Sequence, residues 1–287
     1  VTDVKKKSDR PVVSVVVAVK NGATTLQRCI DSFTRQTFPA KELIIMDGGS
    51  ADGTVDIIHA NAKTIAYWES RADSGIAQAW NRALPHTRGE WVIFLGADDY
   101  FYDDKVFADF SQRRTAVLDK QRIVYGQINL ISANLDIIST SGQEWRAIQA
   151  VFFSEKMMIP HQACFHHHTV FNDYGAFDEN LTIVADYDFL LRVLKIERPL
   201  FLPEFIVSNM FFGGISSQVT TLLKMQSECD KALRKNGFKP RGYKRFGNIL
   251  VYKFLGLVVK SAGEKTAALI LDKIRVLLGR RPIWTLK

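Results

Sequence analysis

Cysteine is scarce in this chain of 287 residues, and the three present, Cys29, Cys164 and Cys229, lie far apart. Such spacing excludes a paired-cysteine zinc site and a disulfide-dense secreted scaffold, which leaves a reducing compartment as the expectation. Long uncharged apolar runs are missing too. The best candidate, residues 249–259, is interrupted by Lys253 and followed by Lys260, and falls short of the ~20 residues a spanning helix requires. The start carries Lys5, Lys6, Lys7 and Arg10 but leads into a Val-rich strand pattern instead of a cleavable apolar segment. Residues 1–10 therefore read as a disordered basic leader, not a signal peptide. No internal repeat or low-complexity segment occurs. These absences point to a soluble or peripheral protein, cytoplasmic or resting at the inner face of the plasma membrane.

What is present suits a globular enzyme. A hydrophobic content of 47% over this length supports one large domain with a tail, or two small ones. The 38 Lys and Arg against 30 Asp and Glu give +8, which favours partners carrying phosphate: nucleotides, anionic lipid headgroups or nucleic acid. The basic residues gather in the tail, among them Lys239, Arg241, Lys244, Arg245, Lys273, Arg275, Arg280 and Arg281, and do not interleave with aromatics on one strand face. That distribution argues against a nucleic-acid partner.

Over the first hundred residues, strand-like apolar runs alternate with segments of helical period, the signature of a mostly parallel sheet covered by helices. Strands are expected over 12–19, 43–46, 64–69 and 91–95. Helices are expected after the first three, with Leu26, Cys29, Ile30 and Phe33 marking one face of the first. Short strands over 123–125, 127–132 and 135–139 suggest a mixed sheet added to the parallel half. Helices are expected over 145–153, 188–195 and much of the chain from Ser216 onward.

In an open parallel sheet, ligands sit beyond the carboxyl ends of the strands, so the polar residues that follow each strand carry weight. Asp47 follows the second strand, Asp73 the third, and Asp98 with Asp99 the fourth. A carboxylate pair after a small-residue turn can present oxygen ligands to Mg²⁺ or Mn²⁺, whose shell substrate phosphates often complete. The plainer account is that Asp98 and Asp99 cap the next helix. Asp47, in the turn Asp47-Gly48-Gly49-Ser50-Ala51-Asp52-Gly53-Thr54, can accept from a base or ribose while the glycines let backbone pass closely, with Asp52 as helix N-cap. The run His166-His167-His168 cannot converge on one ion, because consecutive strand residues face opposite ways. Trp80, Trp91 and Trp145 read as core, with Trp145 placed where it can also stack on a sugar.

Together these residues form a pattern that resembles the family 2 glycosyltransferases. The resemblance runs through Val13-Ser14-Val15-Val16-Val17-Ala18-Val19-Lys20-Asn21-Gly22, Gln36-Thr37-Phe38-Pro39, the 47–54 turn, Asp73-Ser74-Gly75-Ile76, Trp80-Asn81-Arg82-Ala83, Gly89-Glu90-Trp91 and Phe94-Leu95-Gly96-Ala97-Asp98-Asp99. It continues in Pro160-His161-Gln162, Tyr174-Gly175-Ala176-Phe177-Asp178 and Ala185-Asp186-Tyr187-Asp188-Phe189-Leu190-Leu191-Arg192, covering roughly residues 12–217.

The resemblance implies a GT-A fold and an inverting transfer, in which an acceptor hydroxyl attacks a nucleotide-sugar from the face opposite the departing diphosphate. It implies donor-binding roles for Val19, Asn21, Asp47, Arg71, Asp73 and Asp98, and Mn²⁺ or Mg²⁺ held at Asp98 and Asp99. It also implies acceptor contacts at His161 and Gln162, and Asp186 as the catalytic base. Asp188 competes for that last role, and N-capping of the 188–195 helix is the alternative for both. Gly213, Gly214 and Ser216 are expected to form a mobile loop near the diphosphate. Two positions depart from the family pattern: Gly96 replaces the first Asp of the usual Asp-x-Asp, and Ala185 stands where an acidic Glu often precedes the base.

The expected organisation is a catalytic domain over 1–217, with a nucleotide-sugar half (11–100) and an acceptor half (101–217), then a basic helical region over 218–287. UDP is the family's commonest nucleotide, and the acceptor is a saccharide or lipid-linked saccharide in polysaccharide or cell-surface glycan synthesis. A nucleotidyltransferase is the competing enzyme, although Lys20-Asn21-Gly22-Ala23 is too short and too little basic for its loop. A nucleotide-sugar or glycan binder without catalysis is the competing class. The tail, where Leu250, Phe254, Leu257 and Val258 alternate with Lys and Arg, is suited to an anionic membrane surface, to packing on its own domain, or to a homodimer contact.

Overall fold

The computed structural model describes residues 10–117, 121–214, 218–241 and 243–285. The leader before Arg10, Ser216 of the expected loop and the side chains of Lys244 and Arg245 lie outside the described residues.

Four strands, β1 (Val13–Val19), β2 (Lys41–Asp47), β3 (Tyr67–Ser70) and β4 (Trp91–Gly96), run parallel in the order β3-β2-β1-β4. Helices α1 (Leu26–Thr34), α2 (Thr54–Ala60) and α3 (Ile76–Ala83) make the crossovers. Because helices cover both faces, the central strands β1, β2 and β4 carry buried apolar runs on both sides instead of alternating, whereas the edge strand β3 is only half-buried. Val16, Ile44, Val92 and Phe94 face one core together with Trp80 of α3. Val15, Val17, Ile45, Ile93 and Leu95 face a second core with Leu26, Cys29, Ile30 and Phe33 of α1.

The second half extends the same sheet. Its elements are β5 (Tyr100–Phe101), α4 (Val106–Val117), β6 (Ile123–Ile131), β7 (Ile137–Ser141), α5 (Trp145–Phe152), β8 (Cys164–His167), α6 (Thr169–Tyr174), α7 (Ala185–Leu194) and β9 (Leu200–Phe211). Beyond β4 the order continues β8-β6-β9-β5, with β8 antiparallel to β4 and to β6, β9 parallel to β6, and β7 hydrogen-bonded to β6 alone. The sheet is thus mixed, as expected.

Several elements differ from the sequence expectation. The two strands expected over 123–132 are one strand, whose register against β9 slips between Tyr125 and Ile128. The next strand starts later than 135, because Leu135 occupies a turn with φ 68°. Strand β9 was not anticipated, since Pro203 and Glu204, the latter at φ 57°, interrupt its pattern. The helix expected over 188–195 begins at Ala185, which puts Asp186 inside its first turn.

Two further helices, α8 (Leu222–Lys235) and α9 (Tyr243–Leu277, broken at Gly263), follow β9. Cys229, Ala232 and Leu233 of α8 belong to the core beneath α7, so this helix is built into the same body as the sheet. Leu255, Ala267 and Leu271 of α9 close a small separate core with Val219 and Leu222. Among the described residues no helix is long and apolar enough to cross a membrane.

Candidate active site

The carboxyl ends of β1, β2, β3 and β4 lie side by side. Val19 is in register with Asp47, Asp47 with Ser70, and Ala18 with Gly96. The expected donor residues Val19, Asn21, Asp47, Arg71, Asp73 and Asp98 therefore gather along one edge of the sheet.

Local chemistry ties these turns together. Asn21 takes a left-handed conformation (φ 53°), its Oδ1 accepts from the Ala51 N–H at 3.0 Å, and its own N–H donates to Ser50 Oγ at 2.7 Å. Gly22 N–H donates to Thr54 Oγ1 at 2.9 Å and Ala23 N–H to Asp52 Oδ2 at 3.0 Å. Helix α2 starts after Gly53, one residue beyond the N-cap expected at Asp52. A Cβ at Gly48 would lie 2.9 Å from Asp73 Oδ2, so glycine is what allows the segment after β3 to press against this turn.

Asp47 is fully buried and committed to the turn. Its Oδ2 accepts from Gly49 N–H (3.1 Å), Ser50 N–H (2.9 Å) and Ser70 Oγ (2.6 Å), and its Oδ1 accepts from Ser50 Oγ. It thus shapes the 47–54 turn, with its oxygens turned away from solvent. The Val19 carbonyl accepts from Gly48 N–H at 2.8 Å, and Arg71 N–H donates to the Asp47 carbonyl at 2.9 Å. The Arg71 side chain is exposed, with its Nε 3.0 Å from Glu69.

At the end of β4, Asp98 is half-buried and Asp99 buried. A Cβ on Gly96 would lie 2.6 Å from Asp99 Oδ2 and 2.8 Å from Asp98 Oδ1, so two carboxylate oxygens converge on a point that glycine leaves open. Burial, then the Asp98 charge, pushes the Asp99 carboxyl up to about 8, against hydrogen bonds from Phe211 N–H (3.1 Å), Gly96 and the Gln162 side chain. Such a pair favours a cation. No group of three or more His, Cys, Asp or Glu side chains suited to a metal occurs among the described residues. The donor set nonetheless fits Mg²⁺ or Mn²⁺, which take one or two carboxylates and fill the rest of the shell with phosphate and water.

Arg28, one turn into α1, was missed by sequence reasoning. Its guanidinium donates to the Asp98 carbonyl at 3.0 Å and lies over the rings of Phe211 (4.4 Å) and Tyr100 (5.0 Å), while its buried Nε has no hydrogen-bond partner. No local signal reveals this, since the contact joins residues 70 positions apart.

Gln162 connects the two halves. It sits on a single 3₁₀ turn, His161–Ala163, that leads into β8, and its carbonyl accepts from Ser208 Oγ at 3.0 Å. His161 is packed between Phe94 (stacked, 5.2 Å) and Trp80 (5.0 Å), with its Nε2 buried and unbonded. Burial keeps this ring neutral by lowering its pKa well below the usual value. As placed, His161 supports the turn and Gln162 is the member that touches Asp99.

Two residues along, Cys164 lies near enough to Asp186 for that carboxylate to add to the upward push on its thiol. Asp186 is half-buried in the first turn of α7, where an acid suits the helix dipole, and its Oδ1 accepts from Tyr187 N–H at 2.8 Å. Burial pushes it up to about 6, and among the described residues it has no ion-pair partner. Asp188 differs: it is fully buried and bonded to Asn236 (2.9 Å), Lys235 (3.2 Å) and Arg192 (3.4 Å). Its charge is spent on joining α7 to α8. Glu228 of α8 also serves α7, accepting from Thr182 Oγ1 (2.8 Å) and the N–H groups of Ile183 (2.8 Å) and Val184 (3.3 Å) just before the helix. This support went unseen in the sequence because it comes from beyond residue 217.

The histidine run separates as strand geometry requires: His166 is buried toward Phe94, whereas His167 packs on Trp91. Trp145 is 7% exposed and packed on Phe152 and Phe153, which leaves it in the core.

Comparison with known proteins agrees with this arrangement. The model of glycosyl transferase family 2 matches residues 14–172. A PGL/p-HBAD biosynthesis glycosyltransferase of Mycobacterium bovis is 30% identical over 219 residues, which span 73% of this chain and 80% of that protein. An uncharacterized glycosyltransferase of Rickettsia typhi is 26% identical over 71% of this chain and 65% of its own length. Among solved structures, S. aureus TarS 1–349 in complex with UDP-GlcNAc superposes with a TM-score of 0.62 at 15% identity, covering 88% of this chain and 75% of that one. The mannosyltransferase PcManGT of Pyrobaculum calidifontis, in complex with GDP-Man and Mn²⁺, gives 0.62 at 17% identity over 97% of this chain and 84% of its own. These likenesses establish a GT-A type fold. With the family model spanning more than half of the residues and the sheet edge assembled as described, the chain belongs to glycosyltransferase family 2.

Proposed function

We propose that this glycosyltransferase moves a sugar from a UDP-sugar to a hydroxyl of a saccharide or lipid-linked saccharide, with inversion at the anomeric carbon. One observation carries the reading: Asp186, a half-buried carboxylate raised to about 6 and without an ion-pair partner among the described residues, lies close to Cys164, two residues beyond the Gln162 whose side chain bonds Asp99. A general base for an alcohol needs an unpaired oxygen, whereas the expected competitor Asp188 is committed to Arg192, Lys235 and Asn236.

In this reading the turns at 19–22, 47–54 and 71–73 hold the nucleotide. Arg71, exposed at the rim, and Arg28, behind Asp98, add positive potential where the departing diphosphate gathers charge. Asp98 and Asp99 would hold Mn²⁺ or Mg²⁺, which supplies neutralisation of that charge when bound. Asp186 takes the acceptor proton as the new glycosidic bond forms and the bond to the diphosphate breaks. Gln162 orients Asp99 and borders the acceptor. Solved relatives of the same fold hold UDP-GlcNAc in one case and GDP-Man with Mn²⁺ in another, which supports a nucleotide-sugar donor and a divalent ion.

The test is a donor screen with purified protein, in which nucleoside diphosphate release is read with Mn²⁺, with Mg²⁺ and with chelator, and the product anomer is read by NMR. Release of UDP with inverted product is expected. Release of sugar 1-phosphate, with the nucleoside monophosphate group passed to the acceptor, would mark a nucleotidyltransferase instead, and donor binding without turnover on any acceptor would mark a binding protein.

A further inference from the structure

Charge is divided unequally along this chain. Residues 218–287 hold 16 Lys and Arg against 4 Asp and Glu, a net +12, which leaves residues 1–217 at −4. Two of the four acids of the basic region are withdrawn from the surface. Glu228 is buried against the start of α7, and Asp272 is buried and bonded to the N–H groups of Ile283, Trp284 and Thr285. The basic side chains Lys224, Lys231 and Arg234 of α8 are exposed.

The same region leaves apolar side chains in water. On the first half of α9, Leu250, Phe254 and Leu257 are 55%, 54% and 66% exposed. Their spacing of four and three residues puts them on one stripe. The helix already has a core face, through Leu255, so this stripe is a second apolar face. Exposed Lys253 and Lys260 border it. Beyond the break at Gly263 the pattern returns, with Lys265, Leu269, Lys273 and Val276 exposed at helical spacing.

We propose that the exposed face of α9 docks on an anionic lipid bilayer, lying in the interface with its leucines and Phe254 among the acyl chains and its lysines at the headgroups. An exposed apolar stripe marks a contact surface, and the basic flanks identify the occupant's charge. A second copy of the chain fits poorly, because it would bring two +12 regions together. Crossing is not involved, since no described helix is long and apolar enough. Each basic side chain near an anionic surface strengthens binding about fivefold.

The full chain is sedimented with phosphatidylcholine vesicles and with vesicles that also contain phosphatidylglycerol, at low and raised salt. Binding is expected to the anionic vesicles only, and to weaken with salt. The double variant Phe254→Glu with Leu257→Glu should lose roughly tenfold or more in partitioning. Lys253→Gln with Lys260→Gln should lose about 25-fold. Both should keep the parent's thermal midpoint, because all four side chains are exposed. Equal binding to both vesicle types, no binding by the parent at low salt, or undiminished binding by either variant overturns the proposal. So does a parent dimer in sedimentation velocity that the variants dissolve, which assigns the face to a copy of the chain. The readout needs neither donor nor acceptor, so it stands or falls apart from the transferase reading.

Discussion

Replacing Asp186 by Asn tests the chemistry with little disturbance to the fold. Asp186 Oδ1 accepts from Tyr187 N–H at 2.8 Å, and an asparagine Oδ1 can keep that bond. What is lost is the base, worth about 10²–10⁴ in turnover, or roughly 3–5 kcal/mol of transition-state stabilisation. Donor affinity should stay within about twofold, because the donor turns lie on β1 to β4 and not on α7. The parent carries its own control. With Asp186 at about 6, kcat/KM should rise through that pH and level off above it, falling about tenfold from pH 7 to pH 5 as the carboxylate gains its proton.

Stability should move the opposite way. Burial raises the folded-state value above the unfolded one, so the folded chain holds the extra proton more tightly and loses stability as pH climbs from the unfolded value through about 6. Asn carries no such charge, and the variant should be more stable at pH 7 by at most about 2 kcal/mol, allowing for the water that a half-buried carboxylate keeps. The assay pairs nucleotide release with donor calorimetry and thermal denaturation. Turnover within tenfold of the parent, a pH profile flat between 5 and 7, or a variant less stable than the parent would refute the assignment of the base.

Gly96→Ala should weaken Mn²⁺ binding by about tenfold or more, since its Cβ would enter the point shared by Asp98 Oδ1 and Asp99 Oδ2; water-proton relaxation titration reads this without turnover. Asp47→Ala leaves the N–H groups of Gly49 and Ser50 and the Ser70 hydroxyl without their acceptor, so about 2–4 kcal/mol of stability and much of the donor affinity should go, as thermal denaturation and calorimetry would record. Glu228→Ala removes the acceptor for the Ile183 and Val184 N–H groups and should cost about 2–4 kcal/mol. It should lower kcat more than it raises the donor KM, because it slackens the start of the helix that carries Asp186.

The donor half could be read closely from the sequence because its determinants are local. A parallel strand covered on both faces must be a continuous apolar run, the residue after it must turn, and glycines must stand where turns approach each other, as at Gly48. The order of Asp47, Asp73 and Asp98 along the chain therefore already placed them at successive strand ends, and the motifs around them named the family. Helix and strand boundaries in the second half were less legible, because Leu135 and Glu204 adopt left-handed backbone conformations and Pro203 breaks the pattern of a strand that the sheet nonetheless holds.

Only the tertiary structure decided how the carboxylates are employed. Asp47, Asp186 and Asp188 look alike as letters, yet one is spent on a turn, one has no ion pair among the described residues, and one is bound to Asn236 and Lys235 of the following helix. The state of each depends on burial and on partners dozens of residues away, and such long-range pairing leaves no trace in local spacing. The convergence of Asp98 and Asp99 on the space at Gly96, the guanidinium of Arg28 behind them and the reach of Glu228 back to α7 arise for the same reason. Local pattern determines which elements form, and packing determines which charges remain free to act.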